Sequence, residues 1–180
     1  MRGRARGEVK MATYYSTQYA AQAVGGITAF NSQFRSDPTL SHGRVRAKSA
    51  SFTTASGLGA GTVFSIATMK SSDRILSCFF ECGNIGASSA TIDLGLYLVN
   101  SDGSLGTLVD VDAIVADLAV SSAVAWADVL AIGNRSQTLY EFAGASADTN
   151  LQYIIAGTTA DAATDATGVI NVLINYTSGD

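Results

Sequence analysis

Few side chains in this sequence are of types that do chemistry, so their spacing can be weighed one by one. His42 is the sole histidine. A histidine base needs a nucleophile or a carboxylate beside it, and no motif around His42 supplies one. It reads as a turn residue at the start of a strand. Gly57-x-Gly59-x-Gly61 has the look of a phosphate loop. It lacks the preceding strand and following helix that such a loop requires, and reads as a hairpin turn. Asp110 with Asp112, and Asp161 with Asp165, offer pairs of oxygens. An organised calcium loop needs more ligands at fixed offsets. Zinc-ligand spacing and a nucleophile elbow are both missing. The chain is therefore expected to be non-enzymatic and to carry no cofactor or metal.

Cys78 and Cys82 flank Phe79-Phe80-Glu81. On a strand, residues four apart share a face but lie about 13 Å apart, at roughly 3.3 Å per residue. A disulfide needs Cα atoms within about 7 Å, so these are expected to be small buried thiols. Trp126 has the chemistry of a sugar-stacking platform, yet Val124, Ala125, Val129 and Leu130 around it favour a core or interface position.

The elements that would position these residues are mostly strands. Val45, Ala47, Ser49 and Ser51 alternate with Arg44, Arg46 and Lys48, a half-exposed strand. Further strands are expected over Thr62–Met69, Arg74–Cys82, Ala90–Val99, Thr138–Phe142, Leu151–Ala156 and Val169–Tyr176. Asn100-Ser101-Asp102-Gly103-Ser104 is dense turn chemistry. Val111, Ile114, Val115 and Leu118 recur at i, i+3, i+4 and i+7, which predicts a short amphipathic helix. A second short helix or irregular piece is expected from Trp126 to Leu130, and a long exposed loop from Gly157 to Gly168. The whole is a mainly β chain: an antiparallel β-sandwich or jelly roll over 42–180, with one short helix.

Residues 11–41 lack a period and read as an extended N-terminal arm. Tyr14, Tyr15, Tyr19, Phe30 and Phe34 give it adhesive aromatic surface, and Arg35 adds charge, so these six are the candidate partner contacts. Residues 1–10 are basic and are expected to be a disordered translated leader. Gly7-Glu8-Val9-Lys10 is encodable by a purine-rich ribosome-binding sequence just ahead of the Met11 codon. They precede no apolar run, so they are not a secretory signal, and no stretch is apolar enough to span a membrane.

Charge narrows the partners. Of 11 basic and 15 acidic residues, four and one lie in the first ten, which leaves a net charge of −7 for the rest. An acidic body argues against nucleic acid, which needs clustered Lys and Arg. Only 14% of residues are charged, well below the roughly 25% of ordinary soluble chains, which suits burial against copies of itself or other subunits.

Several stretches resemble small virion proteins of tailed phages. They are Met11-Ala-Thr-Tyr-Tyr-Ser-Thr-Gln-Tyr19, Thr91-Ile-Asp-Leu-Gly-Leu-Tyr97, Ser101-Asp-Gly103, Val111-Asp-Ala113 and Leu139-Tyr-Glu-Phe-Ala-Gly-Ala-Ser-Ala-Asp148. The likeness runs from about Met11 to the end and departs at Met1–Lys10. It implies a capsid decoration or cement protein on the head surface, made in the bacterial cytoplasm. The implied partners are the major capsid protein and further copies of the chain, as a homo-oligomer such as a trimer. The alternatives are a tail, neck or head-fibre subunit, or a carbohydrate-binding jelly roll. N-terminal mass spectrometry of the native protein is expected to find a chain that starts at Met11 or Ala12, and intact residues 2–10 would refute the leader.

Overall fold

The computed structural model describes residues 45–54, 59–86, 89–160 and 167–178. Eight strands form two four-stranded antiparallel sheets. They are β1 (Val45–Thr54), β2 (Val63–Lys70), β3 (Arg74–Cys82), β4 (Thr91–Val99), β5 (Leu105–Ala119), β6 (Val124–Asp128), β7 (Gln152–Ala160) and β8 (Gly168–Thr177). One sheet has the order β1-β8-β3-β6 and the other β2-β7-β4-β5. Every connection except β4–β5 crosses from one sheet to the other. That interleaving is the eight-strand jelly roll.

Alternation places the core between the sheets. On β3, Cys78, Phe80 and Cys82 point inward, and on β8 so do Ile170, Val172 and Ile174. They meet Met69, Ile92, Leu94, Leu96 and Ile155 of the opposite sheet. Fully burying one such side chain is worth about 1.5–3 kcal/mol. One end is closed by Ile85 and Val120, tied together by the Ile85 and Gly86 amides donating to Val120 O. The other end is closed by Leu139 and Phe142 on a single helical turn, α1 (Leu139–Phe142).

Three expectations are corrected here. Residues Val111–Leu118 belong to strand β5 rather than a helix. Between the pairs Leu94↔Val115 and Leu96↔Asp110, one residue of β4 faces four of β5. Such bulges break the two-residue alternation, and the broken alternation has the same spacing as one face of a helix. Trp126–Leu130 likewise starts within strand β6. Conversely, Thr138–Phe142 contains α1 in place of a strand. Thr138 N donates to Glu141 Oε2 at 2.7 Å and Glu141 N donates to Thr138 Oγ1 at 3.4 Å, a reciprocal capping box that was legible as Thr-x-x-Glu.

Smaller adjustments concern β7 and β1. β7 runs on to Ala160, so the expected 157–168 loop is shorter, and 161–166 lie outside the described residues. β1 is a strand as expected, with Val45 64% exposed on its outer side, while Phe52 turns inward onto Phe64 at 4.9 Å between ring centroids.

Two glycines permit close approaches. A Cβ on Gly95 would lie 2.2 Å from Val111 O and 2.3 Å from Asp110 O, because the β5 bulge crosses directly over it. A Cβ on Gly157 would lie 2.1 Å from the Phe64 ring. Backbone cannot retreat as a ring can. Gly95→Ala is therefore expected to cost about 3 kcal/mol or more in urea unfolding, and Gly157→Ala about 1–2 kcal/mol. Equal losses would show that the β5 crossover is as compliant as the Phe64 ring.

Candidate interaction surface

The outer face of the β1-β8-β3-β6 sheet carries a stripe of side chains across the strands whose centre, Leu173 and Phe79, is apolar. Ser49, Leu173, Phe79 and Asp128 are successive register neighbours. Between the Phe80↔Ala127 and Cys82↔Val124 pairs, β6 holds two residues against one of β3, and Trp126 sits in that bulge. Its indole stacks on the Phe79 ring with centroids 5.6 Å apart and planes 8° from parallel. One indole face is packed and the residue remains 47% exposed. Trp126 is thus not in the core. The apolar neighbours read from sequence divide at this bulge, which breaks the alternation: Val124 and Leu130 contribute to the core while Trp126 points outward.

Polar pairs frame the stripe. Asn175 Nδ2 donates to Ser77 Oγ at 2.8 Å and Asn171 Nδ2 to Glu81 Oε2 at 3.4 Å. Asp128 anchors the β6 end. Its Oδ1 accepts from the Cys78 and Leu130 amides, and its Oδ2 meets Arg135 Nη2 at 2.7 Å. An exposed aromatic stack inside a polar, hydrogen-bonded frame has the composition of an interface centre and its rim.

A second feature lies at the edge where β1 faces β2. A cleft of about 320 Å³ is lined by Arg46, Lys48, Thr68, Lys70, Asp73, Gln152 and Tyr176, among others. Lys48 Nζ donates to Thr68 O and ties the two edge strands together.

The remaining residues singled out by type fall as follows. Cys78 and Cys82 are free and buried, as their spacing required. Burial first, and then the Asp128 carboxylate, push the Cys78 thiol up to about 12, so it stays protonated and unreactive at neutral pH. Gly59 and Gly61 form a turn in which Gly61 has φ +82° and donates to Thr159 O, so its amide is engaged by β7. Asp148 lies in the turn before β7 and accepts from Ser71 Oγ and the Asn150 amide. Asp110 Oδ1 accepts from the Asp112 amide within β5, and the Asp112 side chain raises its pKa. Among the described residues, no three of His, Cys, Asp and Glu gather as a metal site. Tyr14, Tyr15, Tyr19, Phe30, Phe34 and Arg35 lie outside the described residues, as do His42, Gly57, Asp161 and Asp165.

Sequence reasoning missed the Phe79–Trp126 stack. Its one signal was that Arg74–Cys82 is apolar on both faces, which a strand covered on one side only does not need.

No family model matches the chain, and no curated protein does. Solved structures do. A chain of the cyanophage Pam1 capsid asymmetric unit superposes with a TM-score of 0.53 at 12% identity, over 99% of both chains. The capsid of Ralstonia phage GP4 gives 0.48 at 11% identity, over 75% of this chain and 86% of that one. The infectious bursal disease virus VP2 subviral particle gives 0.45 at 14% identity, over 77% of this chain and 33% of that one. What is shared with the Pam1 chain is the fold.

Because Trp126 is the single tryptophan, fluorescence reports on this stack alone. Its emission is expected to be quenched by acrylamide in the native state. Trp126→Ala should cost about 1 kcal/mol, against about 3–5 kcal/mol for buried Phe80→Ala. A larger loss at Trp126 than at Phe80 would make the stack a core element.

Proposed function

We propose that this chain is a non-enzymatic structural protein of a tailed-phage virion. In this reading it decorates the capsid, binds the lattice of the major capsid protein and stabilises the head. The observation that carries the reading is the jelly-roll fold, on which a chain of the cyanophage Pam1 capsid asymmetric unit superposes with a TM-score of 0.53 at 12% identity. The physical character of the surface supports it. The chain is poor in charge, presents an aromatic stack on one sheet face, and, among the described residues, has β1, β2, β5 and β6 as its sheet edges. Residues 11–41, with Tyr14, Tyr15, Tyr19, Phe30, Phe34 and Arg35, serve as the arm that reaches the capsid. On a repeating lattice, many weak contacts of this kind become strong through avidity. The protein is made in the bacterial cytoplasm, self-associates, and ends on the head surface.

One observation favours a second reading. Trp126 lies flat on Phe79 with its other face open, which is the geometry on which a sugar ring stacks. A carbohydrate-binding jelly roll would use that platform directly.

Electron cryomicroscopy of purified virions separates these readings. Jelly-roll density repeated across the head lattice is the expected result. Density confined to the neck, tail or a head fibre would make the chain a connector, tail or fibre subunit. Absence from particles, with glycan binding by the purified protein, would favour the carbohydrate module. Deleting 11–39 should abolish head binding, and undiminished occupancy would remove the arm from that role.

A further inference from the structure

The outer face of the β1-β8-β3-β6 sheet is low at one margin and bulky at the other. On β1 the outward positions Ala47, Ser49, Ser51 and Thr53 are all small and all exposed. On β6, at the far margin, Trp126 stands on Phe79 and is 47% exposed. Between the margins Leu173 of β8 and Phe79 of β3 are register neighbours and half-buried.

This face also carries little charge. Among the described residues on it or at its border, Arg74, Glu81, Asp128 and Arg135 are charged, and each is already bonded within the chain. Arg46 and Lys48 alternate to the opposite side of β1, toward β2. Exposed aromatics with few charges mark the centre of a protein interface, whereas the water-facing side of an antiparallel sheet is ordinarily polar.

Size and register decide what fits there. A two-fold axis lying along the strands lays one sheet on another so that β6 of one copy covers β1 of the other. Height along the strands is unchanged by such an axis, so each register row meets its own reverse. The Ser49–Leu173–Phe79–Asp128 row sets Leu173 against the partner's Phe79. The Ser51–Asn171–Glu81 row, which ends at Trp126, sets Trp126 over the partner's Ser51 and Asn171 beside the partner's Glu81. Bulk meets small residues, and an amide meets a carboxylate. An axis across the strands would put the two β6 strands on each other and leave a gap between the two β1 strands.

The area is of the right order. Ten-residue strands at roughly 3.3 Å per residue, four abreast at about 4.8 Å, outline about 550 Å² once the short β6 is allowed for. Side-chain relief raises the accessible area toward the roughly 800 Å² per partner of a standard interface.

We propose that two copies of this chain pack face to face through this sheet, each Trp126 seated over the small residues of the partner's β1. The contact is isologous and closed, with the two sheets aligned as in a β-sandwich. The inference rests on the self-association in the proposed function and names its interface.

Sedimentation velocity on the full chain over a range of concentrations, with tryptophan fluorescence in parallel, provides the test. The wild type should form a dimer that persists at high salt, because the contact carries few charges. Acrylamide should quench Trp126 in dilute solution and quench it several-fold less once the dimer forms. S49E/S51E sets carboxylates against the partner's Asp128 and Trp126 and should raise the dissociation constant about tenfold or more. Both serines are exposed on an edge strand, so far-UV circular dichroism should be unchanged. T107E, at an exposed position of β5 on the other sheet, should leave the dimer intact. An oligomer that resists S49E/S51E, with Trp126 still fully quenched, would overturn this interface and leave self-association standing. A trimer would overturn the two-fold arrangement. A chain that is monomeric at every concentration would overturn both the interface and self-association, while head binding is read separately on virions. A monomer whose Trp126 is already shielded would also overturn it, since residues 11–41 of the same chain would then be the occupant.

Discussion

The fold depends on strand β8 lying between β1 and β3. Its register runs from Val45↔Thr177 to Thr54↔Gly168 on one side and from Arg74↔Thr177 to Cys82↔Ile170 on the other. Both pairings join the C-terminal part of the chain to strands more than eighty residues earlier in sequence, and loop closure makes such contacts entropically costly. The cost is met by the inward row Ile170, Val172 and Ile174, which packs into the centre of the core. Without β8 the sheet would separate into a lone β1 and a β3–β6 pair, and the core would lose one wall.

The surface features follow from that arrangement. With β8 and β3 central, β6 becomes a short edge, held by the Asp128 hydrogen bonds to the Cys78 and Leu130 amides. A bulge at this edge turns Trp126 outward onto Phe79. At the opposite margin β1 lies against β2, where Phe52 meets Phe64 and Lys48 reaches Thr68. The basic cleft and the aromatic stack therefore sit on opposite margins of one sheet and can serve different partners simultaneously.

The second sheet is built differently. β4 is buried on both faces from Ile92 to Tyr97. Its inner face joins the main core. Its outer face holds Tyr97 against Ile154 and Ala156, with the Tyr97 hydroxyl 3.0 Å from Thr158 Oγ1. The β5 bulge crosses Gly95 on the same strand. This sheet thus covers much of its own centre, leaving the β1-β8-β3-β6 sheet with the exposed aromatic surface.

Alternation, turn chemistry and cysteine spacing made the strands β1 to β4, the Asn100–Ser104 turn, and the buried free thiols legible from sequence alone. Each depends on neighbours in the chain, and local spacing carries that information. The β5 region was misread because a bulged edge strand repeats its apolar residues at helical intervals, and only the partner strand reveals the extra residues. α1 was misread because Leu139 and Phe142 suggested a strand, although the Thr138–Glu141 box was present. Which face of β6 carries Trp126, and which margins gather Arg46, Lys48 and Lys70 or Asp110 and Asp112, was decided by tertiary structure. Sheet order is set by pairings between distant segments, and nothing in the local spacing of one strand specifies its neighbour across the sheet.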